Sequence, residues 1–257
     1  MMASIIQWNI NSFLQHRSDL ELLLSSHNPC VVCLQETKAK ENIKFKYFKS
    51  YDCFATATDG RACGGVSVLV KNSTPQTQVH LNTTLQAVAV RVTLHKTVTI
   101  CSVYCPPSKP LNIVDLDTLF YQLPQPAFLV GDFNANNIMW GDDLVDERGD
   151  RLEGFIHRNS LCLLNDGRYT YIHTGNGRKT SIDLSLCHPN LLLDFDWSVE
   201  EDQCGSDHFP IIIKSNVPQP ESNIPKWKLS KANWPLFKYF CEQEIVEIGR
   251  ASCRERV

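Results

Sequence analysis

Apolar runs in this sequence repeatedly end, or begin, in a residue that can do chemistry. Trp8-Asn9-Ile10-Asn11 closes the first run, and Leu34-Gln35-Glu36-Thr37 puts a single carboxylate at the tip of the second. Val103-Tyr104-Cys105-Pro106-Pro107 delivers a phenol into a stiff Pro-Pro exit. Phe128-Leu129-Val130-Gly131-Asp132-Phe133-Asn134 carries an acid and an amide two positions apart, which an extended backbone would point the same way. Ser181-Ile182-Asp183 leads another run, and Gly205-Ser206-Asp207-His208-Phe209-Pro210 precedes the last. A strand fixes the backbone at such places while the adjoining loop leaves the side chain free to act. Taken singly, each has a plain explanation. Asp beside Gly is turn chemistry, Glu36 a solvated loop residue, Tyr104 a packing residue, and Ser206-Asp207-His208 a cap followed by a surface imidazole. Taken together they supply carboxylates, two amides, a phenol and one histidine. Oxygen donors carrying few charges suit Mg²⁺, which keeps several waters and takes one or two protein carboxylates plus substrate phosphate. The chemistry indicated is phosphoester hydrolysis: a metal neutralises phosphate charge, a placed base activates water, and a carboxylate-held histidine adds hydrogen bonding and charge.

Other chemistries fit less well. Ser206, His208 and Asp183 could form an acyl-transfer set, but no G-x-S-x-G elbow is present. No P-loop or G-x-G-x-x-G occurs, and Gly64-Gly65 enters a strand rather than a helix, so nucleotide cradling is unsupported.

The elements that must position these residues follow from hydrophobic spacing. Strands are expected at 4–9, 30–35, 51–57, 65–71, 85–94, 97–104, 127–130, 169–172, 181–187 and 209–214, and helices at 17–26, 115–123 and 146–159. Leu20, Leu23 and Leu24 oppose Asp19 and Glu21 in the first helix, and Leu152, Phe155 and Ile156 follow acidic Asp146 and Glu147 in the third. Strand-helix-strand units near each end flank a long β-rich middle, so two packed sheets with helices outside is the expected α/β architecture. No repeat of fixed 20 to 50 residue period is present. The three prolines within 215–226 mark a domain edge, giving a catalytic domain over 1–214. Residues 215–246 then read as a Pro-rich linker and a basic, aromatic segment, Trp227 to Lys238, leading toward a downstream domain; that segment is either a nucleic-acid contact or the start of another folded unit. Residues 247–257 lack periodicity and read as an artefactual tail.

The 257 residues are 43% hydrophobic and 21% charged, enough to bury a core without staples. No apolar run is long enough to span a membrane and the start lacks a signal-peptide layout, so the expectation is an intracellular protein without membrane partners. Of the eleven cysteines only Cys30 and Cys33 form a C-x-x-C, inside a buried-strand pattern that would send the thiols to opposite faces. Reduced, structural cysteine is the reading, not zinc or disulfides. Net charge is −3, made of +2 over 215–257 and −5 over 1–214, so a polyanion would be held by local contacts or a metal rather than by a global field.

Seven segments in order, Gln7-Trp8-Asn9-Ile10-Asn11, Gln35-Glu36-Thr37, Gly64-Gly65-Val66, Tyr104, Gly131-Asp132-Phe133-Asn134, Ser181-Ile182-Asp183 and Ser206-Asp207-His208, resemble the exonuclease/endonuclease/phosphatase superfamily over residues 3–214. Within it, Tyr-x-Pro-Pro, the stretch from Gly131 through Trp140-Gly141, and the trailing Trp-x-Leu…Ala-x-Trp are most similar to the apurinic-type endonuclease domain of jockey-like non-LTR retrotransposons. The resemblance implies a four-layer, two-sheet α/β sandwich with its site at one edge of both sheets. It implies Glu36 as the principal Mg²⁺ ligand, with Asn9 and Asp207 near the metal and Mn²⁺ able to substitute. Asp132 would orient or activate water with help from Asn134, Tyr104 would contact the phosphate, and His208, held by Asp183, would stabilise the pentacoordinate phosphorus. Thr170, Asn11 and Ser206 would contact DNA. Asn136-Asn137 departs from the histidine that related elements often carry there, away from the catalytic positions. The implied activity is nicking of double-stranded DNA in the nucleus, leaving a 3′-hydroxyl for a reverse transcriptase in the full-length polyprotein. DNA affinity would rest on phosphate contacts and weaken with salt. The alternatives are a phosphatase of the same superfamily acting on inositol phosphates or a phospholipid, for which no extra basic motif is seen, and a catalytically silent DNA-binding module.

Overall fold

The computed structural model describes residues 2–218 and 233–244. The chain divides into two compact units, Met1–Pro220 and Glu221–Val257. In the first unit one six-stranded sheet contains β1 (Met2–Asn9), β2 (Val31–Gln35), β3 (Phe48–Cys53), β4 (Val66–Lys71), β13 (Phe195–Val199) and β14 (Ile211–Pro218), in the order β13-β14-β1-β2-β4-β3. The other holds β5 (Gln76–Val79), β6 (Gln86–Thr93), β7 (Thr97–Tyr104), β8 (Ala127–Asp132), β9 (Cys162–Leu163) and β12 (Asp183–Cys187), in the order β5-β6-β7-β8-β12-β9. A small hairpin pairs β10 (Tyr171–Ile172) with β11 (Lys179–Thr180).

The two sheets face each other across a core that includes Ile5, Val31, Val68, Val90, Ile100, Phe128, Val130 and Ile213. Outside the first sheet, Leu20 and Leu23 of α1 (Arg17–His27) cover Ile6, Trp8, Val32 and Leu34. Outside the second, α2 (Ile113–Tyr121) and α3 (Glu147–Arg158) place Leu116, Leu119, Leu152, Phe155 and Ile156 on Ala89, Leu129 and Leu186. This is the four-layer α/β sandwich expected from the alternation of elements. Central strands such as β1, β2 and β8 are buried on both faces because each lies between the inter-sheet core and a helix layer, which is why 31–34 and 127–130 read as continuous apolar runs and β1 is buried even at Ser4, Gln7 and Asn9.

Topology brings the chemistry to one edge. β1 and β2 run parallel and end side by side, Asn9 opposite Gln35, while β7 and β8 run parallel and end with Tyr104 opposite Asp132. β12 runs antiparallel to β8 and begins with Asp183 opposite Asp132; β14 runs antiparallel to β1, so the loop before Ile211 arrives at the same edge. Buried amides fix the two sheets beneath it: Gln7 Nε2 donates to the Gly131 carbonyl (3.2 Å) and its Oε1 accepts from Ser185 (2.7 Å), while Gln35 Nε2 donates to Ser102 (2.7 Å). Gly131, at φ +154°, lies so close to β7 that a Cβ there would sit 1.9 Å from the Val103 carbonyl oxygen.

Several sequence expectations are corrected. β14 continues to Pro218, beyond the domain edge placed at 215, because Ser215 pairs with Phe195 and Pro218 with Met2. β5, β9, β11 and β13 were not expected; β9 and β11 are two-residue strands held only by their neighbours, and β13, although Phe195-Asp196-Trp197-Ser198-Val199 alternates apolar and polar, follows without a break on the 3₁₀ turn at Pro189–Asp194. α2 starts at Ile113 because the Asn112 side chain caps Val114 N. Cys30 and Cys33 do not face opposite sides: Cys30 precedes β2, outside the pleat, and both pack on the inter-sheet core. Burial pushes the thiols of Cys33 and Cys101 well up, the behaviour of inert structural cysteine.

In the second unit α4 (Trp234–Glu244) forms a helix whose Leu236 N–H is capped by Asn233 (3.1 Å), with Trp234, Leu236, Phe237, Tyr239 and Phe240 exposed. The artefactual reading of 247–257, and most of the linker, lie outside the described residues.

Candidate active site

Asn9, at the end of β1, is fully buried and links two carboxylates: its Nδ2 donates to Glu36 Oε1 (3.1 Å) and to Asp132 Oδ2 (2.8 Å). Its Oδ1 accepts from the Asn11 amide (3.1 Å). Glu36 follows β2 at φ +48° and is one of the least enclosed of the acids, with a side chain 21% exposed. Lys38 approaches Glu36 Oε2 to 3.4 Å and also donates to Asn11 Oδ1, while Asn11 Nδ2 donates to Asp207 Oδ1 (3.0 Å). Glu36, Lys38, Asn11 and Asp207 therefore form a linked polar row at the rim. Of nine non-glycine residues with positive φ among the described residues, Asn11, Ser12, Glu36, Lys38 and Asn134 lie here. Backbone held in this region costs energy and concentrates where side chains are aimed for function.

Beneath the rim lies a buried pair. His208 Nδ1 bonds Asp183 Oδ2 at 2.8 Å, and Thr170 Oγ1 donates to the same oxygen at 2.7 Å. Trp8 Nε1 holds the His208 carbonyl (3.1 Å), and the Tyr171 ring lies 4.5 Å from the imidazole. Burial alone would lower the His208 pKa. The Asp183 charge and hydrogen bond, with Asp132 and Asp207 behind them, outweigh that and hold the imidazolium up to about 9. Burial, and then the neighbouring Asp183 charge, push Asp132 up to about 7 against the pull of His208. Burial and the Glu36 and Asp132 charges raise the Tyr104 phenol well above its ordinary value, so it stays a neutral donor.

The eleven residues singled out from the sequence all converge on this edge, but not all as expected. Asn134 is not carried on an extended strand beside Asp132: at φ +47° the chain has turned, its backbone N–H donates to Asp132 Oδ1 (2.9 Å), and its side chain reaches the Cys105 carbonyl (3.3 Å). Thr170 is 0% exposed and its hydroxyl is committed to Asp183, so it offers no surface to DNA; it positions the carboxylate instead. Ser206 is buried too, its hydroxyl donating to the Asn9 carbonyl (2.8 Å) and accepting from His208 N (3.2 Å). Asn136 and Asn137 do structural work, bonding Asp146 and Glu153. Lys38, Tyr171 and Arg148 were missed. Lys38 had a signal, a cation two residues past a tip carboxylate; Tyr171 and Arg148 reach the site only through tertiary packing.

A hard cation fits the donor set, which is oxygen-rich and includes Asp183 Oδ1, a buried carboxylate oxygen with no hydrogen-bond partner. Asp132, Asp183 and His208 bring potential ligand atoms within 4.8 Å of one another. His208 Nδ1 in that cluster is already engaged by Asp183, and Glu36, with a side chain 21% exposed, is the more open carboxylate beside it.

This geometry has relatives. The family model described as endonuclease-reverse transcriptase matches residues 98–212. The chain is 28% identical over 222 residues to the probable RNA-directed DNA polymerase from transposon X-element of Drosophila melanogaster, and 27% identical over 242 residues to the RNA-directed DNA polymerase from mobile element jockey of the same species. These matches cover 83% and 92% of this chain but only 24% and 26% of the relatives. Among solved structures, the endonuclease domain of TRAS1, a telomere-specific non-LTR retrotransposon, superposes with a TM-score of 0.71 at 21% identity, covering 84% of this chain and 98% of that one. By these matches the chain is similar to non-LTR retrotransposon endonucleases, and it shares the fold of the TRAS1 endonuclease domain. An AP endonuclease from Archaeoglobus fulgidus shares the fold, with a TM-score of 0.64 at 18% identity over 84% of this chain and 100% of that one. The chain spans about a quarter of the length of the curated relatives it matches.

Proposed function

We propose that this domain nicks one strand of double-stranded DNA, breaking the P–O3′ bond and leaving a 3′-hydroxyl from which a reverse transcriptase of the full-length polyprotein primes synthesis in the nucleus. The observation that carries the reading is a buried imidazolium, His208 on Asp183, facing the same edge as Asp132, a carboxyl poised near neutrality. Asp132 would accept a proton from the attacking water, for which a base titrating near the working pH is best suited. Its orientation is fixed by Asn9 and by the Asn134 backbone amide. The Nε2 of His208, opposite the nitrogen bound by Asp183, would donate to a phosphate oxygen as negative charge develops, and the neutral Tyr104 phenol would donate to another. Glu36, with Asn9 and Asp207, would hold Mg²⁺, or Mn²⁺ in its place, supplying charge neutralisation at the phosphate. Asn11 and Lys38, half-buried at the rim, would meet the flanking backbone.

The test is conversion of supercoiled plasmid to open circle with and without Mg²⁺, using the unmodified protein, Glu36→Ala and His208→Ala, with cleavage sites mapped. Mg²⁺-dependent nicking lost in both variants is expected. Absence of nicking, or nicking indifferent to both substitutions, would leave a DNA-binding module or a small-molecule phosphatase as the correct reading.

A further inference from the structure

Arg148, the second residue of α3, is a half-buried cation whose fork is spent on main-chain carbonyls. Its Nη2 donates to Cys105 O (2.8 Å) and Phe133 O (2.6 Å), and its Nη1 donates to Lys109 O (2.6 Å) and reaches Pro106 O at 3.4 Å. Cys105 and Phe133 are the residues that immediately follow Tyr104 and Asp132. The two exits are also bonded to each other, through Cys105 N to Asp132 O (2.9 Å) and Asn134 Nδ2 to Cys105 O (3.3 Å). The helix end that carries Arg148 is itself pinned. Asp146 caps Gly149 N (2.7 Å) and accepts from Asn136 Nδ2 (2.7 Å), and Gly149 packs so tightly that a Cβ would sit 1.9 Å from Asn136 O. Arg151, one turn further on, pairs with exposed Glu147 and donates to Leu111 O (3.3 Å), a carbonyl that belongs to neither exit.

We propose that Arg148 is a positioning residue for phosphodiester cleavage, holding the ends of β7 and β8 in one register so that Tyr104, Asp132 and Asn134 face the reacting phosphate together. The inference rests on the cleavage reading above. The planar guanidinium holds both exits from Nη2 while Nη1 anchors the same plane to Lys109 O; a lysine keeps the charge but loses the second anchor and the fixed plane. Release of the two exits by about 1 Å would cost on the order of 10²-fold in rate.

The experiment compares Arg148→Lys, Arg148→Ala and, as a neighbouring control, Arg151→Lys. In the plasmid assay kcat is expected to fall about 10²-fold in both Arg148 variants, with KM for DNA changed less than about threefold and the control unaffected. Guanidinium at low, non-denaturing concentration is expected to restore much of the Arg148→Ala rate. Independently of cleavage, amide exchange at Cys105 and Asn134 is expected to quicken about tenfold or more in Arg148→Lys while the melting temperature holds. A kcat within about twofold of the unmodified protein, unchanged exchange at those amides, or a loss that simply tracks global unfolding overturns the proposal. If the unmodified protein does not nick at all, the cleavage reading falls, and the exchange data still decide whether Arg148 fixes the two exits.

Discussion

Replacing Asp183 with Asn separates the charge of the buried pair from its shape. Raising an imidazole from 6.5 to about 9 corresponds to about 3 kcal/mol of preference for the imidazolium, at about 1.4 kcal/mol per tenfold. Asp183 is the largest contributor to that rise, and burial opposes it, so removing the carboxylate is expected to lower the His208 pKa and favour the neutral imidazole. The sign for stability follows from linkage. A histidine whose pKa is raised by folding stabilises the protein fully below about 6.5 and loses that contribution as pH climbs through about 9. Denaturant melts at pH 6 and pH 9.5 should therefore show about 3 kcal/mol less stability at the higher pH from this group in the unmodified protein, and little of that loss in Asp183→Asn. Plasmid nicking at pH 7.5 should fall about 10²- to 10⁴-fold, the usual scale for removing a charged proton donor. The reasoning is refuted if the variant nicks within about threefold of the unmodified protein, or if both proteins lose the same stability between the two pH values.

Thr170→Val should destabilise the fold by about 1–3 kcal/mol by leaving a buried carboxylate oxygen short of a donor, and should slow nicking. Because Thr170 is fully buried, the salt dependence of DNA binding should not change, whereas a lost phosphate contact would make it shallower. Gly131→Ala should yield little folded protein, because the new methyl group would collide with the Val103 carbonyl oxygen at a backbone conformation that favours glycine; thermal melts of the soluble fraction check this. Adding Mg²⁺ to chelator-treated protein should raise the melting temperature with saturation, an effect weakened in Glu36→Gln, because a ligand that binds only the folded state stabilises it. The rate against pH should rise with deprotonation of Asp132, with an acid limb at or below about 7, since a bound divalent cation lowers a neighbouring carboxyl pKa.

The sequence by itself determined the layers and the edge. Unbroken apolar runs such as 31–34 and 127–130 demand burial on both faces, and the i, i+3, i+4 spacing of Leu20, Leu23 and Leu24 demands a helix lying over them. Polar residues at the ends of those runs marked where chemistry could sit, because local pattern records which side chains leave a strand. Tertiary structure decided which of them meet and what each does. Thr170 and Ser206 look like surface hydroxyls in the chain, yet packing turns both inward onto Asp183 and Asn9. Asn134 is in phase with Asp132 on paper, but the turn after Asp132 converts its backbone amide into the partner. Arg148 lies on an ordinary amphipathic helix and binds loops fifteen and more than forty residues away. The protonation of His208 and Asp132 likewise depends on burial and on charges brought together from distant segments. Periodicity is a property of neighbours along the chain, whereas hydrogen-bond partners and electric fields are properties of neighbours in space.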